Sequence, residues 1–110
     1  MNSVSKLILV AAIGTVFAGC ASPKLNTGGE KIRVLSPDEV SSCRQLGKTT
    51  GSVVSKIAGI DRPVESMEEE LETLSRNSAA KMGGDTIVPL TVMENGQRTF
   101  QVYKCIDPNG

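Results

Sequence analysis

An apolar run over residues 7–17 follows a single lysine, Lys6, and gives way to the small residues Ala18 and Gly19. A charged start, a short apolar core and a small-residue exit are the layout of a secretory signal peptide. The run is about eleven residues long, whereas a membrane span needs about twenty. An uncleaved anchor and an ordinarily cleaved signal are the alternative readings. Either way the sequence left to fold is about ninety residues, 20–110. That is one small domain, near the size at which a single core stabilises only modestly.

Charge and composition exclude several kinds of work. Twelve basic and twelve acidic side chains cancel. Removing Lys6 with the signal leaves eleven against twelve, a net charge of minus one. Nucleic acid as a partner is not expected, because its binders carry a basic patch. The only aromatic residues are Phe17, Phe100 and Tyr103, too few for a stacking platform. Histidine is absent, which removes the commonest general base and the commonest metal ligand. No cofactor, no metal and no catalytic residue is expected.

Besides Cys20 the chain holds two cysteines, Cys43 and Cys105. In a small exported domain two thiols are read as a disulfide, because the compartment is oxidising. The bridge would close a loop of about 62 residues, worth roughly 4 kcal/mol by the chain-entropy estimate. A free thiol pair or a metal site is the alternative, and two cysteines without histidine make a poor zinc site.

Residues 21–30 are small, polar and turn-forming, and read as a flexible tether. Fully extended it would reach up to roughly 33 Å. Residues 31–35 alternate and include Ile32 and Val34, so a short strand is predicted. A second strand is predicted over residues 43–54, bulged or bent at Gly47 and Gly51. Residues 56–64 read as a loop. A helix is predicted over residues 67–82, with Ser66 and Glu69 at capping-box spacing. Glu68, Glu69, Glu70 and Glu72 crowd its first turns, where the helix dipole favours acids. Met67, Leu71, Leu74, Ser78 and Met82 form its expected apolar stripe, with Ala79 beside it. Glu72 and Arg76 have ion-pair spacing, and Gly83-Gly84 supplies the C-terminal cap.

A hairpin over residues 86–93 and 98–105 follows. Apolar matching favours a three-residue loop, Asn95-Gly96-Gln97, with Leu90 opposite Val102, Val92 opposite Phe100 and Glu94 across from Arg98. A two-residue turn at Asn95-Gly96 would instead set Leu90 opposite Gln101. The expected fold is α+β, in the order β-β-α-β-β, with one helix packed on one face of a small sheet and one disulfide.

Few motifs suggest chemistry. Ser42-Cys43-Arg44-Gln45-Leu46-Gly47-Lys48-Thr49 fits a phosphate-binding loop, except that Ser42 stands where glycine or alanine belongs. The residues after it are poor helix formers, and that loop must open a helix. The acid run reads as a solvated helix face, with a cation or partner surface as the alternative. Met67 and Met82 read as core rather than as soft metal ligands.

Val16-Phe17-Ala18-Gly19-Cys20 resembles the lipobox of bacterial lipoproteins, with Phe17 where leucine is usual. The resemblance implies that residues 1–19 are removed and that Cys20 carries lipid. Two or three acyl chains anchor stably where one is marginal. In similar Gram-negative lipoproteins aspartate after the cysteine favours inner-membrane retention, so Ala21 implies the outer membrane, with the domain facing the periplasm. Residues 74–88, from Leu74-Ser75-Arg76-Asn77-Ser78-Ala79-Ala80 through Gly83-Gly84 to Val88, resemble small bacterial lipoproteins of unknown function. Cys43 with Leu46-Gly47, and Tyr103-x-Cys105, are similar to that family too. The architecture is similar to the sensor lipoprotein of the Rcs envelope-stress phosphorelay, which has four cysteines in its domain where this chain has two, and a longer tether. These likenesses imply a non-catalytic envelope protein that binds or senses through protein contacts, held to the membrane by its N-terminal lipid. A small envelope redox protein or hydrolase is the alternative.

Overall fold

The computed structural model describes residues 23–106. The signal over residues 1–19, Cys20 and Ala21 lie outside the described residues. In chain order the elements are β1 (Arg33–Val34), β2 (Arg44–Ser52), β3 (Lys56–Ile57), β4 (Ile60–Asp61), α1 (Val64–Lys81), β5 (Thr86–Pro89) and β6 (Gln97–Lys104). β1, β5, β6 and β2 form one mixed sheet in that order; β3 and β4 form a separate two-stranded hairpin. The α+β fold and its β-β-α-β-β order stand, with one addition. Residues 56–61, read as loop, pair as β3–β4, a ladder too short to leave a periodic signal in the sequence.

α1 begins a turn earlier than its sequence suggests. Pro63 is the N-cap residue, at φ −57°, and no side chain caps the end. Proline's fixed φ is already compatible with a helix start, so the Ser66–Glu69 box is not used and those residues lie inside the helix. A capping box does form at Ser36 and Glu39, around the 3-10 turn Pro37–Glu39. At the other end Gly83 takes φ +82°, a conformation that costs a side-chain-bearing residue more than glycine. Gly84 N–H then donates to Ala79 carbonyl oxygen at 2.9 Å, closing the helix as predicted.

The buried stripe is rotated from the predicted one. Met67, Leu71, Ser75 and Ala79 face the sheet. Leu74 and Ser78 are only half-buried and Met82 is exposed. The cause is the close approach that Gly51 allows. A side-chain carbon at Gly51 in β2 would come within 3.2 Å of Leu71 and 3.3 Å of Ser75 Oγ. The line through Leu71 and Ser75 therefore seats on β2 at Gly51, and Leu74 is left on the flank. The core they cover is Ile32, Ala79, Ile87, Phe100 and Val102, with Leu46 and Ala80 against it.

β5 and β6 pair antiparallel as Thr86↔Tyr103, Ile87↔Val102, Val88↔Gln101 and Pro89↔Phe100. Neither register considered from sequence is the one formed in the stem. The turn itself has two residues, Asn95-Gly96, because Glu94 and Gln97 exchange backbone hydrogen bonds of 3.0 and 2.9 Å. The two extra residues are absorbed between Leu90 and Met93. Apolar matching misled because Leu90 and Val92 are 47% and 71% exposed. β2 pairs with β6 and is bulged between Gln45 and Gly47, one of the two positions foreseen.

Candidate functional site

Two ends of the sheet differ in how they are closed. At one end Cys43, just before β2, and Cys105, just after β6, form a disulfide with their Cα atoms 4.4 Å apart. They continue the β2–β6 register beyond Arg44↔Lys104. Beside them Asp85 is buried at 9% exposure. Its carboxylate accepts from Cys105 N–H and Ile106 N–H, both at 2.8 Å, and from the Thr86 hydroxyl at 2.9 Å. Lys104 Nζ stands 3.9 Å away. Burial pushes the Asp85 carboxyl pKa up; the two backbone N–H groups, the Thr86 hydroxyl and Lys104 outweigh it and hold the pKa below the usual aspartate value. One buried carboxylate thus fastens the chain immediately after the bridge.

Of the segment read as a flexible tether over residues 21–30, the described part does not hang free. Its later part is bound to α1. Asn77 Nδ2 donates to Lys24 carbonyl oxygen at 2.8 Å, and Asn26 N–H donates to Asn77 Oδ1 at 3.0 Å. The amide thus satisfies a backbone acceptor and a backbone donor of one segment. Arg76 next to it donates to the carbonyl oxygens of Ile32, at 3.1 Å, and Glu30, at 3.2 Å. Its ion pair with Glu72 is present at 3.8 Å. Composition concealed this docking, since the partners are backbone atoms that any polar sequence carries. The Arg76-Asn77 pair inside the family-like stretch was the available signal.

The opposite end carries the β3–β4 hairpin and the 90–96 loop. Arg62 holds the hairpin base: its guanidinium donates to Val54 carbonyl oxygen at 2.9 Å and pairs with Glu70. Of the acid run, therefore, Glu70 is a half-buried structural partner. Glu68 stands 3.9 Å from Arg98, whose guanidinium lies 5.5 Å from the Phe100 ring centroid. A cleft of about 300 Å³ runs between these acids and β6, lined by Glu65, Glu68, Glu69, Glu72 and Arg98 among others. Among the described residues no group of three or more His, Cys, Asp or Glu could hold a metal ion, and no helix is long and apolar enough to cross a membrane.

The structure brings Cys43 and Cys105 together, as expected. Cys20 lies outside the described residues. The residues resembling a phosphate-binding loop span the start of β2 rather than a strand-to-helix turn, so that motif has lost its context. Met67 is buried on the helix stripe, whereas Met82 is 39% exposed. Sequence reasoning missed Asp85, whose signal would have been an acid two residues past the helix-capping glycine Gly83, and Asn77.

The model of a domain of unknown function, DUF4156, matches residues 23–105, and the chain belongs to that family. Its matched span starts at the docked segment rather than at β1. The chain is 26% identical over 113 aligned positions to the uncharacterized protein YjeI of Escherichia coli strain K12, covering 93% of this chain and 97% of the relative. The Shigella flexneri protein of that name matches equally. No solved structure matches the chain.

Proposed function

We propose that this DUF4156 member is a lipid-anchored protein of the outer membrane whose domain faces the periplasm and works by binding or sensing through protein contacts, without catalysis. One observation carries the reading. The chain has three cysteines, and two of them are used by the Cys43–Cys105 bridge. That leaves Cys20, the one that follows the apolar run and Ala18-Gly19, as the thiol free for acylation. A disulfide supports an oxidising compartment. The likeness to the Rcs sensor lipoprotein contributes the sensing half of the reading. Mass spectrometry of the N-terminal peptide from membranes of a Gram-negative host tests the anchor. A peptide starting at acylated Cys20 is expected; an unmodified Cys20, or cleavage elsewhere, overturns it. Crosslinking of the acylated protein in membranes tests the rest, with a specific envelope protein as the expected product.

A further inference from the structure

The β3–β4 hairpin exposes more apolar surface than a small domain leaves by chance. Val54, Ile57, Ile60 and Val64 are 64%, 63%, 72% and 56% exposed. Ile57 and Ile60 are directly paired, so their side chains share one face beside the tip, Ala58-Gly59. Two such side chains on the hairpin, with Val54 just before it and Val64 just after it, differ from single exposed residues scattered over a surface. The hairpin's own charges are paired, although Glu65 and Glu69 stand at the adjoining end of α1. Lys56 faces Asp61 at 3.8 Å, and Arg62 is taken by Glu70.

The path of the chain decides what this hairpin meets. Going backwards from β1, Arg76 holds residues 30 and 32, and Asn77 holds residues 24 and 26. Pro23 then lies beside Ser66, Glu69 and Thr73. It also faces Val54, Arg62 and Leu74 across an open depression of about 600 Å³. The segment therefore leaves the domain toward the N-terminal end of α1, the end from which β3–β4 projects. Only Ala21 and Ser22 separate Pro23 from Cys20. Three residue steps span at most about 10 Å.

The geometry points to a lipid bilayer as the occupant of this surface, with Ile57, Ile60 and Val54 set into the boundary between headgroups and acyl chains. The inference rests on the lipid at Cys20 proposed above. A few apolar side chains bind a bilayer weakly by themselves. Tethering within about 10 Å makes the contact intramolecular, and the effective concentration then holds it closed. With the hairpin's charges paired and only acids nearby, apolar burial is what drives the contact, so added salt should leave it in place.

The chain has no tryptophan, so a single indole reports its surroundings. Full-length acylated protein carrying Ile60→Trp is reconstituted into vesicles of phosphatidylethanolamine and phosphatidylglycerol. Lys81→Trp, at the other end of α1, a helix roughly 25 Å long, is the comparison. Brominated acyl chains should quench the Ile60→Trp indole several-fold more than the Lys81→Trp indole, and high salt should not change this. Equal access of aqueous iodide to both indoles, with Cys20 acylated, overturns the bilayer contact and leaves the lipoprotein reading standing. Shielding of the Ile60→Trp indole without quenching by brominated lipid assigns the hairpin to a protein surface or a second copy, and overturns it too. An N-terminal peptide without acyl chains removes both readings together.

Discussion

The bridged end of the sheet and the hairpin end are built on opposite terms. At the bridged end a covalent bond joins β2 to β6, and a buried carboxylate collects two backbone donors and a hydroxyl. At the hairpin end Val54, Ile57, Ile60, Leu90 and Val92 face outward. The covalent and buried polar ties described here lie at the bridged end, and more of the exposed large apolar side chains lie at the hairpin end. A small domain can leave apolar side chains uncovered at one end because the other end is tied.

Five variants at four places test that contrast, in descending size of effect. Replacing Cys43 and Cys105 by alanine together opens a loop of 62 residues, and should lower unfolding free energy by about 4 kcal/mol. Urea titration of the variant against the oxidised parent measures it, and an unchanged midpoint would show that the bridge is not the tie. Asp85→Ala strands two backbone donors and the Thr86 hydroxyl, and should cost roughly 2–3 kcal/mol. The carboxyl's folded pKa lies below its unfolded value. Its ionic contribution is therefore complete above about pH 4 and is lost as pH falls through the folded value. Asp85→Asn should flatten the acid limb of the stability profile; a limb as steep as the parent's would mean that other groups carry it.

Smaller effects are expected away from the bridge. Asn77→Ala frees the segment at residues 24 and 26 and should cost about 1–2 kcal/mol. Hydrogen exchange should quicken at the Asn26 and Gly29 amides before it quickens in β6. Uniform quickening would place the loss in the whole fold instead. At the hairpin, Ile57→Ser with Ile60→Ser should change the urea midpoint by no more than about 0.5 kcal/mol in equivalent stability. A larger loss would mean that the exposed hairpin is part of the core.

The same contrast governs what could be read from sequence. Period 3.6 announced α1, and cysteine count with compartment announced the bridge, because both signals are local or combinatorial. The helix start was hidden by Pro63, which needs no side-chain cap. The stripe was misjudged at Leu74 because Ser75, polar but small, is what fits against Gly51; its hydroxyl is buried without a hydrogen-bond partner. The stem register was misjudged because Leu90 and Val92 look like core and are not. Asn77 and Asp85 bind backbone groups of distant segments, a pairing that no spacing rule encodes. Cys20, the residue on which the proposed function turns, was legible as a motif and lies outside the described residues.

The docked segment has a mechanical consequence. Tension applied from the N-terminal side reaches the Asn77 contacts first, then the Arg76 contacts, then the two-residue parallel pairing of β1 with β5. These are loaded one after another, and past them the load meets the buried side chains of Ile32 and Val40. The series ends at Cys43, where the disulfide passes the load directly to Cys105. Residues 24–42 fully extended measure roughly 60–70 Å, and the slack released is that length less the distance they already span in the fold. The covalent bridge therefore sets the point beyond which pull from the N-terminal side is carried by the β2–β6 pair together.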